Sequence, residues 1–174
     1  GGDGLPLNSI WMSSAQHGIA VGHYGSWFLF DGTTWTNQTP FTHARLFAVS
    51  GVGPSNLWVV GGDVSGSFPD PQNVSPWDGM SWHDQTPDLR KGLSSVHVLS
   101  PTDALAVGRL GTVVRFDGSG WLPESDCAVP EFTSMHDIWA ADPDNAWAVG
   151  SEGTIVSWDG VRWAQQDIGT TAEF

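Results

Sequence analysis

Eleven tryptophans, 19 acidic residues and six basic ones stand among the 174 residues of this chain, and each group suggests a chemistry. Indole faces stack on sugar rings, so the tryptophan content invites a carbohydrate-binding reading. Acidic turns such as residues 142–144 carry oxygens of the kind calcium takes, but they lack the alternating ligand run of a calcium loop. His17, His23, His43, His83, His97 and His136 form no short-range ligand pattern. No metal and no cofactor is therefore expected. A formal net charge of −13 argues against nucleic acid or anionic lipid as a partner held by bulk electrostatics. No apolar stretch approaches the ~18 residues of a membrane span.

The elements that must position these residues repeat. Phe30-Asp31-Gly32-Thr33-Thr34-Trp35 recurs as Trp77-Asp78-Gly79-Met80-Ser81-Trp82, Phe116-Asp117-Gly118-Ser119-Gly120-Trp121 and Trp158-Asp159-Gly160-Val161-Arg162-Trp163. Upstream of each lies Ile19-Ala20-Val21-Gly22, Trp58-Val59-Val60-Gly61, Leu105-Ala106-Val107-Gly108 or Trp147-Ala148-Val149-Gly150. The aspartates are 47, 39 and 42 residues apart, so four units of about 43 fill nearly the whole chain. In unit four the runs 134–140, 146–149, 154–158 and 161–165 are separated by turn residues, giving four short strands, a to d. The spacing predicts an all-β fold: a β-propeller of four-stranded antiparallel blades, in one domain with blades over about 6–40, 44–88, 93–125 and 132–168. Almost no helix is expected. Four blades either close on themselves or associate, because an unclosed set exposes apolar faces.

In the turn from c to d, Asp31, Asp78, Asp117 and Asp159 are expected to accept backbone N–H bonds locally, with the following Gly tolerating positive φ. Trp35, Trp82, Trp121 and Trp163 then open strand d, their rings covering the turn and packing on the blade's edge. All are scaffold residues on this reading, since every blade needs them. The other tryptophans also fall on repeat positions whose equivalents are mostly apolar: Trp77 and Trp158 with Phe30 and Phe116, Trp58 and Trp147 with Ile19 and Leu105, Trp11 and Trp139 with His97, Trp27 with Val113 and Ile155. The scaffold accounts for the tryptophans without a ligand.

Function in such a fold sits in the connections, which vary while the strands are committed to packing. The a–b and c–d connections, at one end of the toroid, are monotonous. The b–c and d–a connections, at the other, differ: His23-Tyr24 in unit one, an insertion over 63–74 with Asp63 and Phe68 in unit two, Arg109-Leu110 in unit three and Ser151-Glu152 in unit four. The d–a loops add Phe41, Arg45, Arg90, Lys91, Asp126 and Glu131. Arg45, Arg90, Lys91 and Arg109 place four of the six cations at this end, which suits an anionic or polar partner. The predicted binding residues are His23, Tyr24, Arg45, Asp63, Phe68, Arg90, Lys91, Arg109 and Glu152, with Tyr24, Phe68, Arg90 and Arg109 in one patch.

Residues 137–150 and 153–163, with Trp147-Ala148-Val149-Gly150, Gly153-Thr154-Ile155 and Asp159-Gly160, resemble bacterial BNR or Asp-box propeller repeats, especially those of extracellular bacterial proteins and of the photosystem II assembly-factor family. The resemblance runs over about 6–168 and implies a propeller. The Asp box of sialidases places its Trp five residues after the Asp, with a second Gly between; here the Trp follows at four. That shorter form resembles the turn of fucose-binding propeller lectins, which place an arginine on a strand facing the sugar. Strand b here has only Ile19, Trp58, Leu105 and Trp147 to offer, so the lectin site does not carry over. The resemblance to sialidases would make Arg45, Arg90 and Arg109 a carboxylate-holding triad, Tyr24 the nucleophile and Glu152 its partner. Four units are too few for that six-bladed enzyme. The reading that follows is a non-catalytic extracellular binding or assembly scaffold, engaging a protein partner or a neighbouring subunit through the variable end. A propeller lectin is the alternative and a glycosidase a distant third. The chain begins without Met, as a processed or excised domain would, and with the single cysteine, Cys127, the composition suits a place outside the cell, in the periplasm or on the surface.

Overall fold

The computed structural model describes residues 4–62, 73–88, 91–124, 129, 133–167 and 169. Its elements are β1 (Leu7–Ser14), β2 (His17–Gly22), β3 (Trp27–Phe30), β4 (Trp35–Asn37), β5 (Leu46–Gly53), β6 (Asn56–Gly61), β7 (Asn73–Trp77), β8 (Leu93–Ser100), β9 (Asp103–Gly108), β10 (Val113–Phe116), β11 (Trp121–Pro123), β12 (Met135–Asp142), β13 (Asn145–Gly150), β14 (Ile155–Trp158) and β15 (Trp163–Gln165). Single turns of 3-10 helix, His23–Gly25 and Ser151–Gly153, follow β2 and β13. The strands form four antiparallel sheets, β1-β2-β3-β4, β5-β6-β7, β8-β9-β10-β11 and β12-β13-β14-β15, one for each sequence unit. Successive sheets meet through their first strands β1, β5, β8 and β12, which therefore lie toward the axis.

One blade departs from the expected four strands. The second sheet has three, and its fourth is reduced to a bridge between Trp77 and Trp82. Pro76 explains it. His83 N–H still donates to the Pro76 carbonyl and Gln85 N–H to that of Val74, but proline has no N–H to return to the partner strand, so one ladder bond of the pair cannot form. The insertion of unit two is also shorter than expected at its far end, since Asn73 and Val74 already belong to β7.

The two sequence markers have separate structural reasons. The Gly closing each second strand sits against the start of the first strand: a Cβ on Gly61 would lie 2.1 Å from the carbonyl oxygen of Arg45, and one on Gly108 2.1 Å from that of Gly92. Any side chain there would force the strands apart. The Asp-Gly turns are Asx turns. Asp31 Oδ1 accepts from the N–H groups of Thr33 and Thr34, both at 2.8 Å, and Asp78, Asp117 and Asp159 repeat the pattern. These donors hold the carboxyls of Asp31 and Asp159 below the usual carboxylate range; at Asp117 the largest cause is the Ser119 hydroxyl, which donates to Oδ1 at 2.7 Å, and at Asp78 it is His83, whose Nε2 lies 2.7 Å from Oδ2.

The core is three joints between four blades. Ile19, Val21 and Trp27 of the first pack on Leu46, Val49, Leu57 and Val59 of the second. Trp58, Val60 and Val74 pack on Val96, Ala106, Phe116 and Trp121 of the third. Leu105, Val107 and Val113 pack on Ile138, Ala148, Val156 and Trp163 of the fourth. Along each second strand alternate residues therefore point to the blade before and the blade after, as period-two side chains must. Trp82, Trp121 and Trp163 belong to these joints and not to blade edges, whereas Trp35 of the first blade is exposed: Trp121 lies 5.1 Å from Trp58, ring to ring. Arg115, near the c–d turn of the third blade, also serves a joint, binding Asp103 through two bonds of 2.9 and 2.8 Å and reaching the Pro143 carbonyl of the fourth blade. No core cluster joins the fourth blade to the first among the described residues. Over the described residues the four blades form an open arc.

Candidate functional site

The candidate site is built by an irregularity shared by the four first strands. Each pairs with its second strand through a register shift at its second residue, between Leu7 and Ser9, Leu46 and Ala48, Leu93 and Ser95, and Met135 and Asp137. The bulged residues Asn8, Phe47, Ser94 and His136 leave the alternation of the strand and turn from the joints. Phe47, Ser94 and His136 line a cavity of about 180 Å³ together with Gly62, Gly92, Leu93, Ser134 and Arg109. Asn8 instead donates through Nδ2 to the Leu46 carbonyl at 2.7 Å, tying the first blade to the second.

The cavity lies at the end where the b–c and d–a connections meet. Gly25 N–H donates to the Ala44 carbonyl, Gly111 N–H to that of Thr133 and Ser151 N–H to that of Ser134, each bond joining a b–c turn to a d–a loop. The b–c turns of three blades share one backbone. Tyr24, Leu110 and Glu152 occupy equivalent positions at φ of 55°, 55° and 57°, in the left-handed region that L residues seldom adopt. All three side chains are exposed. Their backbone is uniform and their chemistry is not, which is how a repeated turn presents different groups at each blade.

The predicted binding residues divide accordingly. Arg109 is exposed and lines the cavity, and Lys91 Nζ donates to the carbonyl of neighbouring Leu110 at 3.4 Å. Half-buried Arg45 precedes β5, and its carbonyl accepts from Gly62 N–H at 2.9 Å. His23 and Tyr24 touch edge to face with ring centroids 6.4 Å apart, on the first blade's turn. Glu152 stands on the equivalent turn of the fourth blade, with two blades between, so the repeat itself keeps Tyr24 and Glu152 apart. Asp63, Phe68 and Arg90, with Asp126, Cys127 and Glu131, lie outside the described residues; the insertion begins beside Gly62, a residue of the cavity wall. Sequence reasoning missed Phe47, Ser94, Ser134 and His136. The signal was there: position two of each first strand breaks the in-and-out alternation. Ser151 Oγ and His136 Nε2 lie 3.3 Å apart, and the same hydroxyl donates to the Ser134 carbonyl at 3.2 Å, linking the wall to the fourth blade's turn.

Chemically, the cavity combines a guanidinium, an imidazole, two serine hydroxyls and one aromatic ring at the axis of an otherwise acidic molecule. Among the described residues no group of three or more His, Cys, Asp or Glu side chains is placed to hold a metal ion. No described helix is long and apolar enough to cross a membrane.

No protein-family model matches the chain, and no curated protein matches it. Solved structures do. A YCF48 bound to D1 peptide aligns at a TM-score of 0.72 and 20% identity, over 96% of this chain and 55% of its own. YCF48 from Cyanidioschyzon merolae aligns at 0.67 and 21%, over 95% and 57%. The GH74 xyloglucanase from Xanthomonas campestris aligns at 0.72 and 15%, over 94% and 31%. These likenesses show the fold. It is a β-propeller, of which this chain carries four blades, and it spans little more than half of either YCF48 chain.

Proposed function

We propose that this chain is a non-catalytic binding or assembly propeller that holds a protein segment at its b–c and d–a end. The observation that carries the reading is the axial cavity, where Arg109 and His136 stand beside Phe47, Ser94 and Ser134. A guanidinium flanked by hydroxyls and a ring suits an acidic side chain or a terminal carboxylate with an apolar neighbour. In a molecule of net charge −13, such a site draws an anionic segment to one place and repels it elsewhere. The YCF48 structure bound to a D1 peptide supports the reading, since a propeller of this shape can present a peptide site. Kinship with BNR or Asp-box propellers belongs to the same proposal and is supported by the four Asp-Gly turns, as is a location outside the cytoplasm, supported by the composition.

The test is a peptide library in which an acidic residue is varied against neutral ones. Selected peptides are expected to be acidic, to bind more weakly as salt rises, and to lose at least tenfold in affinity against Arg109→Glu. Peptides held equally by that variant would overturn the site. A glycan is the second reading, favoured by the exposed Trp139 and Trp147, whose rings lie 5.8 Å apart at 30°. A glycan array that lights up for the wild type and not for Trp139→Ala would establish it in place of the first. Turnover of a chromogenic glycoside would overturn the non-catalytic part.

A further inference from the structure

Two neighbouring joints of the arc are built on one plan and filled differently. Between the third and fourth blades, Arg115 pairs with Asp103 of its own blade and reaches across to the Pro143 carbonyl at 3.3 Å, and the same carbonyl accepts from Trp158 Nε1 at 3.0 Å. Two donors meet one acceptor there. The strand registers put Pro76 at the position of Arg115, Asn56 at that of Asp103, Pro101 at that of Pro143 and Phe116 at that of Trp158 in the joint between the second and third blades. Proline and phenylalanine carry no side-chain N–H. Among the described residues no side chain donates to the Pro101 carbonyl, and Asn56 keeps the acceptor oxygen of Asp103 without its charge.

A cavity of about 150 Å³ lies at this place, and all four of those residues line it. Buried Trp58 and Phe116, with ring centroids 4.7 Å apart, contribute aromatic surface to its inner wall, while exposed Asn56 and Gln85 bring amide groups to its solvent side. In the first joint the position of Arg115 is held by Leu29, which packs on the apolar cluster of that joint. The second joint therefore has the rings and the acceptors of a guanidinium site, and Pro76 is too short to supply the guanidinium.

We propose that this cavity takes the arginine side chain of a partner protein, its guanidinium between the aromatic rings and the acceptors of Pro101, Asn56 and Gln85. A guanidinium is planar and weakly hydrated, carries five N–H donors and stacks on aromatic faces, so it uses both kinds of wall at once. Charge favours a cation as well. Asp78 and Asp117 directly follow the lining residues Trp77 and Phe116 in the chain, and the whole molecule carries a net charge of −13. The site stands at the a–b and c–d end, opposite the axial cavity, and both of its walls belong to blades packed against each other within the arc. Its partner chemistry is the inverse of the axial site's.

The test is a capped tripeptide with a central arginine, titrated into the 174-residue chain beside its citrulline and lysine counterparts and followed through the assigned ring signals of Trp58 and Trp77. The arginine peptide is expected to move these signals to saturation, to bind at least tenfold more tightly than either counterpart, and to weaken as salt rises. Gln85→Lys, which sets a cation at the exposed side of the cavity, is expected to weaken binding at least tenfold with an unchanged melting temperature. The double variant Pro76→Arg with Asn56→Asp copies the Arg115 and Asp103 pair, fills the cavity from within and is expected to bind no peptide while its far-ultraviolet circular dichroism stays that of the wild type. Ring signals that do not move, a citrulline or lysine peptide that binds as tightly as the arginine one, or a Gln85→Lys variant that binds it undiminished would each overturn the proposal.

Discussion

The two ends of these blades solve the same problem, turning a strand back on itself, with opposite latitude. At the c–d end an aspartate closes the turn with two N–H bonds in every blade, and the chemistry beyond it is uniform. At the b–c end a left-handed residue followed by Gly makes the turn in three blades, but that residue is Tyr24 in one, Leu110 in another and Glu152 in a third. A turn closed by its own side chain has no side chain to spare. A turn closed by backbone leaves the side chain to a partner.

Four changes sharpen that contrast. Gly108→Val, which drives a branched side chain into the Gly92 carbonyl beneath the varied end, is expected to cost about 3 kcal/mol or more and to abolish a cooperative thermal transition. Arg109→Glu is expected to remove peptide binding at the axial cavity while the melting temperature stays within ~1 °C of wild type, as surface substitutions do. Asp159→Ala should do the reverse, lowering the melting temperature by roughly 2–4 °C with binding unchanged. If binding fell and melting did not, the site would belong at the other end. Leu110→Gly, which relieves the left-handed strain at an exposed turn, should change stability by less than ~1 kcal/mol and in the stabilising direction.

Acid probes the same contrast without mutation. His97 sits half-buried against Trp139 in the joint between the third and fourth blades, and burial holds its pKa below 6.5 despite a backbone bond near Ala140. Its neutral form is favoured in the fold, so stability is full above 6.5 and declines as pH falls through the lowered value. Asp31, Asp78, Asp117 and Asp159 act later. Their carboxyls are held below 3.8, so their contribution is present above that value and lost as pH drops further, through the folded-state pKa values. Melting followed against pH should show a shallow fall that His97→Phe removes and a steeper acid limb that it leaves in place.

Much of this architecture was legible because each marker is tied to a local necessity. The Gly of Val107-Gly108 has a carbonyl where a side chain would go, and the Asp of Asp159-Gly160 binds within its own turn, so both had to recur. What escaped the sequence depends on neighbours. Pro76 silences a ladder bond only because the segment 82–85 runs beside it. Trp121 looks the same in the sequence whether it covers a turn or fills a joint, and Trp147 looks the same whether covered or bare. The axial cavity escaped because His136 and Phe47 owe their direction to a bulge, which inverts the expected side of the strand.

The joint tryptophans have one more consequence, for geometry. Near the axis, neighbouring blades are separated by small residues such as Ala48 and Ser95, while toward the rim indoles such as Trp82, Trp121 and Trp163 stand between them. Each blade is thereby a wedge, thin inside and thick outside, and the difference in thickness is the angle through which the next blade turns. Shaving the rim with Trp→Leu at these positions would flatten the wedge, open the curvature and raise the number of blades needed to complete a circle.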